Sequence, residues 1–187
     1  TAYRARRMEA LVKAADFARL AGITDVMTHV GFIPENPATS AYTELLAAVT
    51  WVAKAFQERG IRFNFETGQE TPITLMRTIW DMGLPNVGVN LDPANLLLYG
   101  KANPVDAVSI YGKAIHGVHV KDGRYPTDGR HLGREMPVGE GDVHFDRLIP
   151  ALQDQGFAGP YIIEREIEGD QQRRDIVQAR QVLERYL

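Results

Sequence analysis

Two periodicities alternate along the chain. Residues 3–20 carry Met8, Leu11, Val12, Ala15 and Ala18 at helical spacing, and Gly22 stands where a helix-terminating glycine belongs. Residues 23–31, ITDVMTHVG, read as a strand. Pro34 and Pro37 mark a loop, and Thr39 or Ser40 can cap a helix running to Gly60. A second strand, 61-IRFNFE-66, leads to Thr71-Pro72, a helix start with proline in the first turn. That helix runs to Met82 and Gly83. The strand 87-VGVNLD-92 follows, then a short helix from Asn103-Pro104 to Gly112, and a strand over 115–121. Residues 122–142 are rich in Gly, Pro and Asp and read as a long loop. A helix over 143–155 places Phe145, Leu148, Ile149 and Leu152 on one face. The strand 161-YIIERE-166 and a helix over 170–186 complete the order. Trp51 and Trp80 fall on helices and are expected in the core.

Five strands, each followed by a helix, predict an α/β fold with a parallel sheet and crossover helices. No linker or low-complexity tract divides residues 1–187, so a single domain is expected. Five βα units suit an open doubly wound sheet. They equally suit the last five units of a (β/α)8 barrel, which needs about 250 residues.

The strand ends carry the chemistry. Side chains alternate along a strand, so Ile61, Phe63 and Phe65 oppose Asn64 and Glu66. Val87, Val89 and Leu91 oppose Asn90 and Asp92, and Val118 and Val120 oppose His119. The apolar sides belong against helices. Glu66, Asp92, His119 and Glu164 then share the polar side, each at the C-terminal end of its strand, where barrel enzymes keep their active sites. An unpaired buried charge costs several kcal/mol. Three carboxylates and an imidazole must therefore take up protons or surround a cation. A single acid at a strand end is usually a helix cap or a surface residue, but three acids and a histidine at four successive strand ends with one facing favour a common site. Their donor set, mostly oxygen with one nitrogen and no sulfur, favours Mn²⁺ or Mg²⁺, with Co²⁺ or Zn²⁺ as alternatives.

Composition narrows the classes. A net charge of −3 with no basic stripe argues against nucleic acid as a partner. There is no cysteine, which removes disulfides and thiolate sites and suits a reducing, cytoplasmic setting. No apolar run approaches the roughly 18 residues of a membrane span. The sequence opens at Thr1, already inside a helical pattern, and leaves homo-oligomer formation open.

The ordered segments THVGF, ETGQE, VGVNLDPANLLLYG, VHVKDG, MPVGEGDVHF and IEREI, over about residues 22–168, resemble the sugar phosphate isomerase/epimerase family with a xylose isomerase-like TIM barrel. The resemblance implies a (β/α)8 barrel of which the chain supplies the last five βα units, with roughly 80–110 residues expected before them. It implies one divalent metal ion held by Glu66, Asp92, His119 and Glu164. It also implies that Glu66 and Glu164 move protons on the two faces of the substrate. Members of the family often place a histidine where this chain has Asn95, which changes the expected hold on substrate.

Other candidates are His29, closing the first strand, Lys121, on the facing of His119, and Arg134 with Arg124 and Arg130 in the long loop. His29, Asn95, Lys121 and Arg134 are expected to contact substrate. For Lys121, a salt bridge to Asp122 or Glu166 is the competing reading. His131 and His144 read as loop and helix-start residues. The stretch VGEG at 138–141 lacks the lysine and hydroxyl of a phosphate loop. The expected activity is a metal-dependent isomerase or epimerase acting on a sugar or sugar phosphate through an enediolate. The rivals are a dehydratase on an oxo-sugar or inosose, a metal-dependent nuclease at abasic DNA, and a non-catalytic sugar-binding module. The nuclease would want a histidine-rich multi-zinc site, and the module would not need the four-residue set.

Overall fold

The alternating stretches form strands, though shorter ones than the pattern suggests. In the computed structural model, which describes residues 2–187, β1 (Asp25–Thr28), β2 (Arg62–Glu66), β3 (Val87–Leu91), β4 (Ile115–Val120) and β7 (Tyr161–Ile163) make one sheet. Its order is β1-β2-β3-β4-β7, the sequential order of a barrel, without the mid-sheet reversal of a doubly wound fold. The β1–β2, β3–β4 and β4–β7 pairs are parallel. The helices are α1 (Ala2–Leu20), α2 (Ser40–Gln57), α3 (Pro72–Met82), α4 (Pro93–Leu98), α5 (Pro104–Tyr111), α6 (Phe145–Asp154) and α7 (Asp170–Leu183).

The chain divides into two compact units. One runs to Phe65 and takes in Thr74–Gly88; the other holds Glu66–Ile73 and Val89–Leu187. In the first, α1 packs on α2. The α2 stripe Val49, Val52, Ala53 and Phe56 is buried, and the Phe56 and Phe63 rings lie 5.2 Å apart. The Thr39 hydroxyl caps α2 by accepting from the Tyr42 N–H. In the second unit, Val89 and Leu91 of β3, Val118 and Val120 of β4 and Leu148, Ile149 and Leu152 of α6 are all buried.

Four expectations are corrected. Residues 122–142 are not loop throughout, because β5 (Asp122–Arg124) and β6 (Arg134–Met136) pair as an antiparallel hairpin. Residues 93–98 form α4, with Asp92 as its cap and Pro93 in its first turn. Six residues are too few to show a helical period. The last strand stops at Ile163, leaving Glu164–Glu166 in irregular chain. Trp51 and Trp80 are 51% and 67% exposed. They sit beside the buried stripes of α2 and α3, which use Val52, Ala53, Ile79 and Met82 instead.

Candidate metal centre

Glu66 is the last residue of β2, and His119 is the penultimate residue of β4. Asp92 follows β3 directly. Its Oδ1 caps α4 by accepting from the Asn95 N–H at 2.9 Å, which leaves Oδ2 for another partner. Thr67 fixes the Asp92 backbone from both sides: its hydroxyl donates to the Asp92 carbonyl at 2.9 Å and accepts from the Asp92 N–H at 2.8 Å. Glu164 lies one residue past β7, and its N–H donates to the Val120 carbonyl at 3.2 Å. The turn after Glu66 uses Gly68 at φ 151°, where a Cβ would lie 2.8 Å from the Asn95 Cβ.

These positions bring the four side chains together. One ligand atom from each of Glu66, Asp92, His119 and Glu164 lies within 4.8 Å of the others. His119 Nδ1 is 3.0 Å from Glu164 Oε2, 3.2 Å from Glu66 Oε1 and 3.8 Å from Asp92 Oδ2. None of these contacts meets hydrogen-bond geometry, and both His119 Nδ1 and Asp92 Oδ2 are buried without a hydrogen-bond partner. These two atoms converge on one cluster, and each calls for a partner there. They fit a divalent cation, which would satisfy both together with the two glutamates.

Charge is concentrated here. Burial pushes the Asp92 carboxyl up, against the pull of His119 and Lys121. Burial also disfavours a charged His119, but the carboxylates of Asp92, Glu164 and Glu66 outweigh it and raise the imidazole to about 11. Glu164 is held below the usual carboxylate range, chiefly by His119. Lys121, 1% exposed, places its ammonium 3.6 Å from Asp92 Oδ2, 3.4 Å from Glu164 Oε2 and 3.1 Å from Glu166 Oε2. Burial lowers its proton affinity, yet these carboxylates raise it further.

A profile of the xylose isomerase-like TIM barrel family matches residues 1–186. The chain belongs to that family. A xylose isomerase domain protein from Planctomyces limnophilus is 31% identical, with a TM-score of 0.89 over 96% of this chain and 64% of that one. The uncharacterized protein MJ1311 of Methanocaldococcus jannaschii is 25% identical over 87% of this chain and 56% of its own length. A D-tagatose 3-epimerase-like protein shares the fold at 23% identity, with a TM-score of 0.77 over 98% of this chain and 69% of that one. The chain thus spans less than two thirds of the length of the first two relatives. Its fold is that of the xylose isomerase-like barrels, present here as five sequential strands.

Within that family frame the remaining candidates separate. Asn95 is 6% exposed and Lys121 lies against the cluster, both in the unit that holds it. His29 is exposed and belongs to the other unit. Arg134 is exposed on the hairpin, and Arg124 donates to the Glu140 carbonyl at 2.8 Å. His131 pairs with Asp128, and His144 takes a left-handed turn, φ 59°, before α6.

Two supports escaped the sequence. Asp122 does not pair with Lys121; its carboxylate accepts from the N–H groups of Gly123, Gly139, Gly141 and Val143, pinning the GEG turn beneath the hairpin. Arg165 bridges Glu135 at 3.0 Å and Asp175 at 2.7 Å, and Glu135 also accepts from the Glu166 N–H at 3.1 Å. This brace holds the irregular segment that carries Glu164. It joins residues from three distant parts of the chain, so no local spacing could reveal it.

Proposed function

We propose that Glu66, Asp92, His119 and Glu164 hold one divalent ion, Mn²⁺ or Mg²⁺, and that the protein is an isomerase or epimerase of a sugar or sugar phosphate. The observation that carries the reading is the cluster itself, in which a buried carboxylate oxygen and a buried imidazole nitrogen have charged neighbours but no hydrogen bond. Membership of the xylose isomerase-like family supports it, as does the fold shared with a D-tagatose 3-epimerase-like protein. When bound, the ion would polarise the substrate carbonyl and stabilise the enediolate. The chain supplies the proton transfers. Glu164, partly exposed at the edge of the cluster, is the carboxylate that takes a proton from the carbon beside the carbonyl in this reading. Glu66 reaches the cluster from the end of β2 and is the second proton-carrying carboxylate in this reading. Asp92, fixed by Thr67 and Asn95, is a ligand without a proton-transfer role. Lys121, Asn95 and Arg134, all in the unit that holds the cluster, are assigned to substrate contact. A cytoplasmic location and a sugar as small-molecule partner belong to the same reading.

The test is exchange of a carbon-bound hydrogen of a ketose with solvent deuterium in the presence of Mn²⁺. Glu164→Gln should lower exchange by about 10²–10⁴-fold, the usual worth of a positioned acid–base group. Exchange at the wild-type rate in that variant would remove Glu164 from the chemistry. The dehydratase alternative shares the proton abstraction but expels water, so a product lighter by one water would replace the isomerase reading.

A further inference from the structure

Lys121 is buried in the wrong place for a residue that merely fills space. Lysine is almost never fully buried unless paired, and here the side chain is 1% exposed with three carboxylates within 3.6 Å of its ammonium. Two of the oxygens it faces, Asp92 Oδ2 and Glu164 Oε2, also face His119 Nδ1, at 3.8 and 3.0 Å. An ion taking up the cluster through these atoms would have a fixed positive charge as its neighbour.

We propose that Lys121 is the internal counter-cation of the cluster: it neutralises part of the carboxylate charge when no ion is bound and weakens the binding of an ion when one is. The inference rests on the metal reading above. Glu66, Asp92 and Glu164 bring three negative charges, and Lys121 cancels one. The two that remain match a divalent ion, so the four ligands, the ion and Lys121 together are neutral when His119 is a neutral ligand, with the 63% exposed Glu166 outside that set in solvent. A neutral centre accepts the single negative charge of an enediolate at lower electrostatic cost than an anionic centre would. Glu166, 63% exposed, meets the ammonium from the solvent side at 3.1 Å and keeps it from being drawn wholly onto Asp92 and Glu164. The lysine thus exchanges tight metal binding for an ion-free centre that stays assembled and a loaded centre that tolerates a developing anion.

The two effects of removing Lys121 have opposite signs, which a merely structural residue would not show. Thermal denaturation in EDTA and calorimetric titration with Mn²⁺ are compared for the wild type, Lys121→Met and Lys121→Gln. Glutamine retains a hydrogen-bond donor in case methionine prevents folding. Neutralising the ammonium should lower the melting temperature of the ion-free protein by about 5 °C or more. It should raise Mn²⁺ affinity about tenfold or more. Affinity that falls in step with stability in the folded variants overturns the proposal. If the wild type takes up no Mn²⁺ or Mg²⁺, the metal reading itself fails. The counter-cation role is then decided in EDTA alone: lost stability on neutralisation supports it and unchanged stability overturns it.

Discussion

Asp92 and Glu164 reach the same cluster on unlike supports. Asp92 is fully buried, with its backbone held on both sides by the neutral Thr67 hydroxyl and its Oδ1 by the Asn95 N–H, so that only Oδ2 faces His119 and Lys121. Glu164 stands outside its strand with its side chain 30% exposed. Its carboxylate faces Lys121 and His119, and its segment hangs on the ion pairs of Arg165. Neutral buried hydrogen bonds are little affected by pH or salt, whereas ion pairs respond to both. The comparison teaches that one cluster can combine a rigid ligand with an adjustable one. A carboxylate proposed to carry a proton gains from the second kind of support.

The largest effect should come from breaking the rigid end. Asp92→Ala removes a ligand, a helix cap and one partner of Lys121. Divalent-metal affinity should fall by more than about 100-fold, beyond what loss of an outer partner costs. The cap alone is worth about 0.5–2 kcal/mol. Asp92→Asn keeps the cap, because asparagine caps as well as aspartate, so its denaturation midpoint should recover much of the loss while metal binding stays lost. Equal destabilisation of the two variants would show that the cap is not what steadies Asp92.

A middle-sized effect should come from the adjustable end. Asp175 belongs to α7 and is not one of the four clustered residues, yet it anchors Arg165. Asp175→Asn should cost about 10–100-fold in metal affinity, the usual price of a lost orienting partner. Calorimetric titration reads it, and unchanged affinity would mean the brace does not position Glu164.

The same aspartate sets a pH dependence. The hydrogen bond from Arg165 holds the Asp175 carboxyl below its ordinary value. A carboxyl depressed in the folded state stabilises above its unfolded pKa, near 3.9, and loses that contribution as pH falls through the lowered folded value. Below about pH 4 the wild type should therefore lose stability that Asp175→Asn never had, and their denaturation curves should converge. Curves that stay parallel into acid would remove Asp175 from the balance.

The smallest effect belongs to Glu166→Gln. Its side chain is 63% exposed, and exposed ion pairs contribute about 0–1 kcal/mol. Stability should change by no more than that, since Lys121 keeps its other two carboxylates. A larger loss would make the rim, not the buried acids, the main support of the lysine.

Much of this was legible from local pattern. The alternation in 61–66, 87–92 and 115–121 reports strands with one apolar side, because a strand turns successive side chains to opposite faces whatever surrounds it. Thr39, Asn103 and the proline after Asn103 report helix starts, because capping involves only neighbours in sequence. The same locality let Glu66, Asp92, His119 and Glu164 be named together: each stands within one residue of a strand's C-terminal end. It failed for α4, too short to show a period, and for the hairpin, whose strands have three residues each. It failed for Trp51 and Trp80, where helical position tells a neighbour of the stripe from the stripe itself only once the helix has docked.

What the sequence by itself determined was which side chains face inward and at which strand end, since covalent geometry and short-range hydrogen bonds decide both. What only the tertiary structure decided was which charges meet. Lys121 chooses Asp92, Glu164 and Glu166 over the adjacent Asp122, whose carboxylate is taken by four backbone N–H groups from its own neighbour and the turn beyond the hairpin. Arg165 reaches Glu135 and Asp175 across separate elements. Electrostatic and hydrogen-bond partners are chosen by distance in space, and for residues far apart in the chain that distance exists only after the strands have paired and the helices have packed.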